Sequence, residues 1–371
     1  MNLLYQRKSL HYNTGIMKQR LSIPTSALTG FLLILIFTLH AEGKEGLSGI
    51  PERKTYLPEY RMEQMFPTDI TGSVLWYDMN PFPGKGIDFL NRNTMMPGDY
   101  RQSRSEYLMG NFDEILYFTV RFSHENLLDI ENTDRQNLRF LSRISELYNT
   151  DITLCLTGSS DEILPLVQDP EKREQTIGAI ASVLENYNIR GIDLDWEFPR
   201  NDNEKLLHQQ FMQDLKDLCS EKDKTLSMAV SRFRLLPEET YSIPDRINLM
   251  TYDFYGRHST WEGTLEAIEY MMARYEIPPE KLLMGLPFYG RIFDGYSPDY
   301  WKKTQSYREI VRNFSPTAQE DEAGGYFFNG PATVQRKLEL ASDHNLQGVF
   351  IWEIGQDMLN EASLSRVVLD Y

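Results

Sequence analysis

Three acidic residues at every second position, Asp193, Asp195 and Glu197, are the part of this sequence best suited to chemistry. Side chains of a β-strand point alternately to its two faces, so these three carboxyl groups share one face. The opposite face carries the apolar residues Ile192, Leu194 and Trp196. Because the outer face of a closed barrel packs against helices, the acids are predicted to point into a barrel and to step towards its mouth.

A row of buried carboxyl groups has a predictable ionisation. Neighbouring carboxylates raise one another's pKa, so the row should hold at least one proton near neutral pH. A proton retained at working pH is what a general acid needs. The opposing interpretation is a solvated edge strand whose acids face water, and it would leave Ile192, Leu194 and Trp196 to cover a core alone.

The elements that would position this row alternate along the chain. The predicted strands are Ser73–Met79, Ile115–Phe122, Ile152–Thr157, Ile189–Glu197, Leu226–Val230, Ile247–Tyr252, Leu282–Phe288 and Gly348–Glu353. Helical periodicity predicts helices over Arg135–Tyr148, Glu171–Asn186, Leu206–Cys219, Gly263–Tyr275 and Ala332–Ser342. Eight strands alternating with helices predict an α/β fold, a TIM (β/α)8 barrel. A doubly wound open sheet is the competing architecture, but it typically has a glycine-rich first turn, and residues 78–83 contain no glycine.

One domain accounts for most of the chain. Residues 70–371 are predicted to form the barrel, and residues 42–69 an N-terminal connecting segment. Only residues 292–347 lie between the segments predicted as strands seven and eight, and part of them is the helix Ala332–Ser342. That length allows at most a small insertion, which predicts a cleft of moderate depth and not a tunnel.

The first 41 residues have the pattern of an export signal. An apolar run, Leu28–Leu39, follows Lys18 and Arg20, and a small residue, Ala41, comes shortly after it. The run is shorter than the roughly twenty apolar residues of a membrane span, which favours a signal peptide over an uncleaved membrane anchor. Met17 would be a more usual start for such a signal. We therefore expect an exported protein, secreted or periplasmic, with membrane anchoring by the uncleaved segment as the alternative.

The acidic row and three later segments together resemble glycoside hydrolase family 18. That family's fourth strand carries Asp-Gly-x-Asp-x-Asp-x-Glu, and residues 191–197 match it, although Arg190 replaces the first aspartate. Residues 250–256 (MTYDFYG), 285–291 (GLPFYGR) and 348–353 (GVFIWE) resemble its sixth, seventh and eighth strands in the same order. The third strand departs from the family's Ser-x-Gly-Gly: it reads CLTG, so a hydroxyl supporting Asp193 is either missing or supplied by Thr157.

The resemblance implies hydrolysis of β-1,4-linked N-acetylglucosamine polymers, chitin or its oligomers, by a retaining, substrate-assisted mechanism. Glu197 would be the general acid and base, Asp195 would accept a hydrogen bond from the acetamido N–H, and Asp193 would share its charge. Tyr252 would hold the acetamido carbonyl. The expected substrate-binding residues are Met250, Asp253, Trp352, Tyr289 and Arg291. Trp352 would form the floor under the sugar. Phe350, on the same face, is expected to be barrel core.

Two other functions are open on the same fold. One is an endo-β-N-acetylglucosaminidase acting on glycoprotein glycans, although such relatives tend to carry a second acid where this chain has Trp196. The other is a non-catalytic chitin-binding lectin, a class that commonly loses the catalytic glutamate, whereas Glu197 is present here. Incubation with chitin oligomers and a high-mannose glycoprotein would separate these functions.

Composition limits the partners. The formal net charge of -16 disfavours nucleic acid and anionic lipid, and leaves a neutral glycan as the expected partner of a monomeric enzyme. Neither the six histidines nor any glycine-rich loop has the spacing of a metal or phosphate site, so no metal and no cofactor are expected. The two cysteines, Cys155 and Cys219, lie in apolar segments and are expected to be buried thiols.

Overall fold

Eight parallel strands form the wall of a closed barrel. The computed structural model describes residues 52–62, 111–123, 125–130, 132–292, 303–358 and 362–371. In chain order the barrel strands are β1 (Glu52–Pro58), β2 (Glu114–Ser123), β4 (Asp151–Gly158), β5 (Gly191–Trp196), β6 (Thr225–Val230), β7 (Arg246–Leu249), β8 (Leu282–Pro287) and β13 (Gly348–Trp352). The barrel is closed because β1 pairs in parallel with both β2 and β13.

Helices cover the outside of this wall. They are α1 (Asn132–Tyr148), α2 (Ser160–Val167), α3 (Pro170–Asn186), α4 (Asp202–Glu221), α5 (Trp261–Tyr275), α6 (Tyr307–Phe314), α7 (Pro331–Asp343) and α8 (Leu364–Asp370). Side chains at the starts of several helices bind the free backbone N–H groups there: Asn201 caps α4 and Thr260 caps α5. The predicted TIM barrel is confirmed.

The start of the barrel differs from the prediction. Strand β1, Glu52–Pro58, lies in the segment 42–69 that was expected to be a connection, so the boundary at residue 70 is wrong. The barrel buries the polar residues Lys54 and Thr55 as well as Leu57. The segment therefore lacks the apolar pattern by which a buried strand is recognised in a sequence. The predicted strand Ser73–Met79 lies outside the described residues.

The segment between β8 and β13 forms a small α+β subdomain, as its length predicted. Its described part contains α6 and a four-stranded antiparallel sheet of short strands. These strands are β9 (Tyr289–Ile292), β10 (Thr304–Ser306), β11 (Glu322–Ala323) and β12 (Tyr326–Phe327). One further strand, β3 (Leu127–Asp129), pairs antiparallel with the end of β2.

The N-terminal end of the barrel interior holds a buried group of charged side chains. Glu114 on β2 accepts hydrogen bonds from Lys54 Nζ at 2.7 Å and from Arg246 Nη1 and Nη2 at 2.6 and 3.0 Å. Burial would raise the pKa of Glu114, but the two cations outweigh it and lower the pKa to about 2. The cluster therefore stays ionised and fixes the ends of three barrel strands, β1, β2 and β7.

The amino-terminal export signal, residues 1–41, and its alternative as a membrane anchor fall outside the described residues and remain predictions. Across the parts of the chain that the structure describes, no helix combines the length and the hydropathy that crossing a membrane requires.

Candidate active site

The acidic row lies on β5 as the alternation predicted. Ile192, Leu194 and Trp196 pack into the core between the barrel and its helices. Asp193 and Asp195 project into the barrel interior and are 0% and 7% exposed. Glu197 follows the last residue of β5 and is exposed at the C-terminal mouth. The three acids thus run from the barrel interior to its opening, where catalytic residues of this fold are found.

Asp193 is bound by three donors from other strands. Oδ2 accepts from the Tyr56 hydroxyl at 2.6 Å, and Oδ1 accepts from the Ser227 hydroxyl at 2.6 Å and from Asn248 Nδ2 at 3.0 Å. Burial raises the pKa of Asp193, and these hydrogen bonds only partly oppose the rise. None of the three donors was singled out from the sequence, since they come from strands β1, β6 and β7, far apart in the chain.

Asp195 is supported by Thr157 on the neighbouring strand β4. The Thr157 hydroxyl donates to Asp195 Oδ2 at 3.1 Å, whereas Asp195 Oδ1 is buried without a hydrogen-bond partner. Burial, then the charges of Glu197 and Asp193, raise the pKa of Asp195 well above its ordinary value. The sequence left open whether Thr157 supports Asp193; the structure pairs it with Asp195, because Cys155 lies opposite Asp193 and Thr157 opposite Asp195.

Glu197 lines a cavity of about 370 Å³ at the barrel mouth. Of the predicted site residues, Asp195, Glu197, Met250, Tyr252, Asp253 and Trp352 line the cavity. Desolvation by the cavity walls, together with the charge of Asp253, raises the pKa of Glu197, and Arg291 partly opposes the rise. A carboxyl group that keeps its proton and faces an open cavity can act as a general acid.

Aromatic side chains shape one side of the cavity. Trp352 meets Phe118 and Tyr56 edge to face, with ring centroids 4.8 and 5.3 Å apart. Tyr56 and Phe118 also line the cavity and were missed by the sequence analysis, since β1 was not recognised and Phe118 falls within a uniformly apolar run. Phe350 is fully buried below them, as expected for barrel core.

Tyr289 and Arg291 are not among the residues that line this cavity, and their expected role in substrate binding stays a prediction. Both lie on β9 and hold Asp253: the Tyr289 hydroxyl donates to Oδ1, and Arg291 Nη2 donates to Oδ2 at 2.9 Å. Burial would raise the pKa of Asp253, but His258, Arg291 and Tyr289 lower it overall. Their visible role is to keep a charged Asp253 in place.

Three further features concern metal ligands, the two cysteines and Arg190. In the described residues, no group of three or more histidine, cysteine, aspartate or glutamate side chains could hold a metal ion. Cys155 and Cys219 are both free and buried, as predicted. Arg190, which replaces an aspartate of the motif, lies on the surface with its Nε 3.8 Å from Asp151 Oδ2, away from the acidic row.

Comparison with known proteins decides the family. The model of glycosyl hydrolases family 18 matches residues 97–357. The chain belongs to this family. Its segments 191–197, 250–256 and 348–353 each contribute residues that line the cavity. The segment 285–291 spans the end of β8 and most of β9 and contacts the cavity residue Asp253 through Tyr289 and Arg291.

The chain spans only part of the length of the first curated relatives that it matches. "Probable chitinase 10" and "Probable chitinase 2" of Drosophila melanogaster are 28% and 27% identical over 208 and 270 residues. These matches cover 46% and 61% of this chain, and 9% and 55% of those proteins. The class V chitinase of Arabidopsis thaliana is 22% identical over 339 residues, covering 74% of this chain and 88% of that protein.

Solved family 18 structures share the fold. A chitinase from Bacteroides thetaiotaomicron superposes with a TM-score of 0.68 at 22% identity, covering 86% of this chain and 95% of that one. A family 18 chitinase from Cycas revoluta in complex with (GlcNAc)4 superposes with a TM-score of 0.65 at 16% identity, covering 86% and 99%.

Proposed function

We propose that the protein hydrolyses chitin or chitooligosaccharides, with Glu197 as general acid and base and the substrate's acetamido oxygen as the nucleophile. The observation that carries this proposal is the single strand that places Asp193 and Asp195 inside the barrel and Glu197 at the open cavity. Relatives named chitinases, and a related fold solved with a GlcNAc oligomer, support the choice of substrate.

Glu197 is the proton donor because it has both access and a raised pKa. It protonates the leaving glycosidic oxygen, and its carboxylate then removes a proton from the attacking water. Once Glu197 has given its proton to the leaving oxygen, its negative charge raises the pKa of Asp195, so ionisation of that neighbour costs more.

Asp195 accepts a hydrogen bond from the acetamido N–H of the substrate. It thereby stabilises the positive charge that develops on the oxazolinium ring formed by the acetamido group. Its Oδ1 is buried without a hydrogen-bond partner in the structure, so it has an acceptor to offer. Tyr252 lines the same cavity and positions the acetamido carbonyl for in-line attack.

The substrate-assisted route is favoured because the other carboxylates of the cavity are engaged. Glu162 Oε2 accepts from the Ser159 backbone N–H and hydroxyl, and Asp253 is bound by Arg291 and Tyr289. Asp195 precedes Glu197 by two residues on the same strand and does not face it across a bond. An enzymatic nucleophile would need a second free carboxylate about 5 Å across the cleaved bond.

Partly acetylated chitosan tests the mechanism. Because the acetamido oxygen is the nucleophile, new reducing ends should be almost entirely N-acetylglucosamine, with the β anomer formed first. Sequencing of the products and NMR of the initial anomer measure these two features. Frequent glucosamine reducing ends, or an initial α product, would contradict substrate assistance, and cleavage of a high-mannose glycoprotein in place of chitin oligomers would favour the endo-β-N-acetylglucosaminidase.

The variant Thr157→Val tests the support of Asp195. Valine keeps the shape and removes the donor to Oδ2, and a hydrogen bond to a charged group contributes about 1.5–3 kcal/mol. We therefore expect kcat on a chitooligosaccharide to fall about tenfold or more. Thr264→Val, which removes a buried hydroxyl bonded at 2.8 Å to the Thr260 carbonyl in α5, is the control and should leave kcat unchanged. Equal kcat values for parent and Thr157→Val would remove Thr157 from the mechanism.

A further inference from the structure

A buried histidine next to Asp253 has no role in the mechanism described so far. His258 lies in the loop between β7 and α5 and is 1% exposed. Both of its ring nitrogens are buried and lack a hydrogen-bond partner at the distances of the structure. Asp253 Oδ1, the same oxygen that accepts from Tyr289, lies 3.7 Å from Nδ1.

Packing fixes the imidazole in this position. Its ring lies 4.9 Å from the ring of Tyr289, tilted by 36°. The His258 carbonyl accepts from the Phe254 N–H at 2.9 Å, which closes the loop onto itself. The next residue, Ser259, is bound by the buried Lys337 Nζ through its hydroxyl at 2.7 Å and its carbonyl at 3.0 Å. A histidine held from both sides can aim one N–H at one acceptor.

Burial favours the neutral form of the His258 ring, and the charged groups around it act in opposite directions. Asp253 faces it from its own loop, Arg291 from β9 and Lys337 from α7. Burial lowers the pKa of His258 first, Asp253 raises it, and Arg291 and Lys337 lower it, with a net decrease. His258 also lines a second cavity, whose charged side chains are Arg257, Glu262, Asp321 and Arg336. A neutral imidazole that donates through Nδ1 orients a carboxylate without cancelling its charge.

The orientation of Asp253 matters to Glu197. Asp253 lines the cavity beside Glu197 and has a backbone φ of 59°, so its side chain leaves the loop in an unusual direction and depends on its partners. Arg291 binds one carboxylate oxygen, while Tyr289 and His258 face the other. Hydrogen bonds of catalytic groups are often long in a free enzyme and shorten with substrate, which fits the 3.7 Å separation.

We propose that His258 is a positioning residue that fixes the orientation of Asp253 beside the general acid. The inference rests on the proposed function of Glu197. Without the Nδ1–H donor, the carboxylate of Asp253 turns towards Arg291, and its negative charge affects Glu197 less. The pKa of Glu197 then falls, and the pH above which the acid has lost its proton falls with it.

A matched pair of variants separates donor position from packing. In His258→Asn the side-chain amide lies close to the place of Nδ1, whereas in His258→Gln it lies close to the place of Nε2. The carboxyl titration of Glu197 is followed by NMR in protein labelled with 13C at glutamate, and Glu197→Gln assigns the signal. In His258→Asn we expect the pKa of Glu197 to equal that of the parent. In His258→Gln we expect the pKa of Glu197 to be about half a unit lower. The alkaline limb of kcat/KM should shift in the same order.

Each other result decides against the proposal. If the pKa of Glu197 in His258→Gln equals that of the parent, a donor at Nδ1 has no effect on Glu197. The same holds if the pKa of Glu197 falls as far in His258→Asn as in His258→Gln. In the parent itself, long-range 15N–1H spectra should show the proton on Nδ1, and a proton on Nε2 alone would also overturn the inference. Absence of turnover by the parent at every pH would contradict the proposed function, but the two NMR measurements would still test His258.

Discussion

Replacement of Glu197 by glutamine should lower kcat on chitooligosaccharides by about a thousandfold or more, while oligosaccharide binding is retained. The amide has the shape of the acid but cannot give a proton to the leaving oxygen, and a positioned general acid contributes about 10²–10⁴-fold. The side chain is exposed at the cavity, so the substitution leaves no buried group unpaired. Steady-state kinetics and calorimetric titration with the same oligomer measure the two effects separately.

Asp161→Asn is the control for Glu197→Gln. Asp161 lies in α2 near the same end of the barrel, and its side chain is 82% exposed in an ion pair with Arg200. This variant should keep the kcat of the parent. A folded Glu197→Gln protein that still turns over at a substantial rate would contradict the assignment of the acid. An inactive parent that binds the oligomer tightly would instead favour the lectin.

Replacement of Glu114 by glutamine should lower the free energy of unfolding by about 3 kcal/mol at neutral pH. Glu114 is 3% exposed and is the shared partner of Lys54 and Arg246, so the variant leaves two buried cations poorly compensated. Glu52 limits the loss, because its carboxylate is 2.8 Å from Lys54 Nζ and 33% exposed. Denaturant unfolding of parent and variant measures the difference.

The difference in free energy of unfolding between the parent and Glu114→Gln should depend on pH in a direction that the pKa of Glu114 fixes. The pKa of Glu114 is lowered from 4.5 to about 2 in the folded protein, so its stabilisation is complete above the unfolded value and is lost as the pH falls towards 2. Between about pH 6 and about pH 3.5, the gap between parent and Glu114→Gln should narrow by about 1 kcal/mol. Glu238→Gln, which breaks an exposed ion pair with Arg274, should show no such change. A gap that stays constant over this range would exclude Glu114 as the ionised centre.

Most elements of the barrel were predictable because their signal is local. Short apolar runs predicted seven of the eight strands within a few residues, and helical periodicity predicted the helices that became α1, α3, α4, α5 and α7. Helix α2 was not predicted, since it is short and contains Pro165. Strand β1 was not predicted either, because it buries Lys54 and Thr55, and the partner that compensates Lys54, Glu114 on β2, lies 60 residues away in the chain.

The strand predicted over Ile247–Tyr252 shows where local patterns stop. As a strand, β7 ends at Leu249, and Tyr252 and Asp253 belong to the loop that follows. Tyr252 is 7% exposed although it lies outside the strand, so burial at the barrel mouth, without strand pairing, accounts for its apolar side chain there. The positive φ of Asp253 is held by Tyr289 and Arg291, which lie 36 and 38 residues later in the chain.

The local sequence predicts which residues would carry the chemistry, and strand geometry places them on one face. Alternation along residues 191–197 is a property of the strand, so Asp193, Asp195 and Glu197 had to share one side. Only the tertiary structure decided how each acid is ionised and oriented. Ser227, Thr157, Arg291 and the other partners come from separate strands, and burial sets the pKa of each carboxyl group by removing water from it. Those contacts join residues far apart in the chain, and no local pattern records which of them will meet.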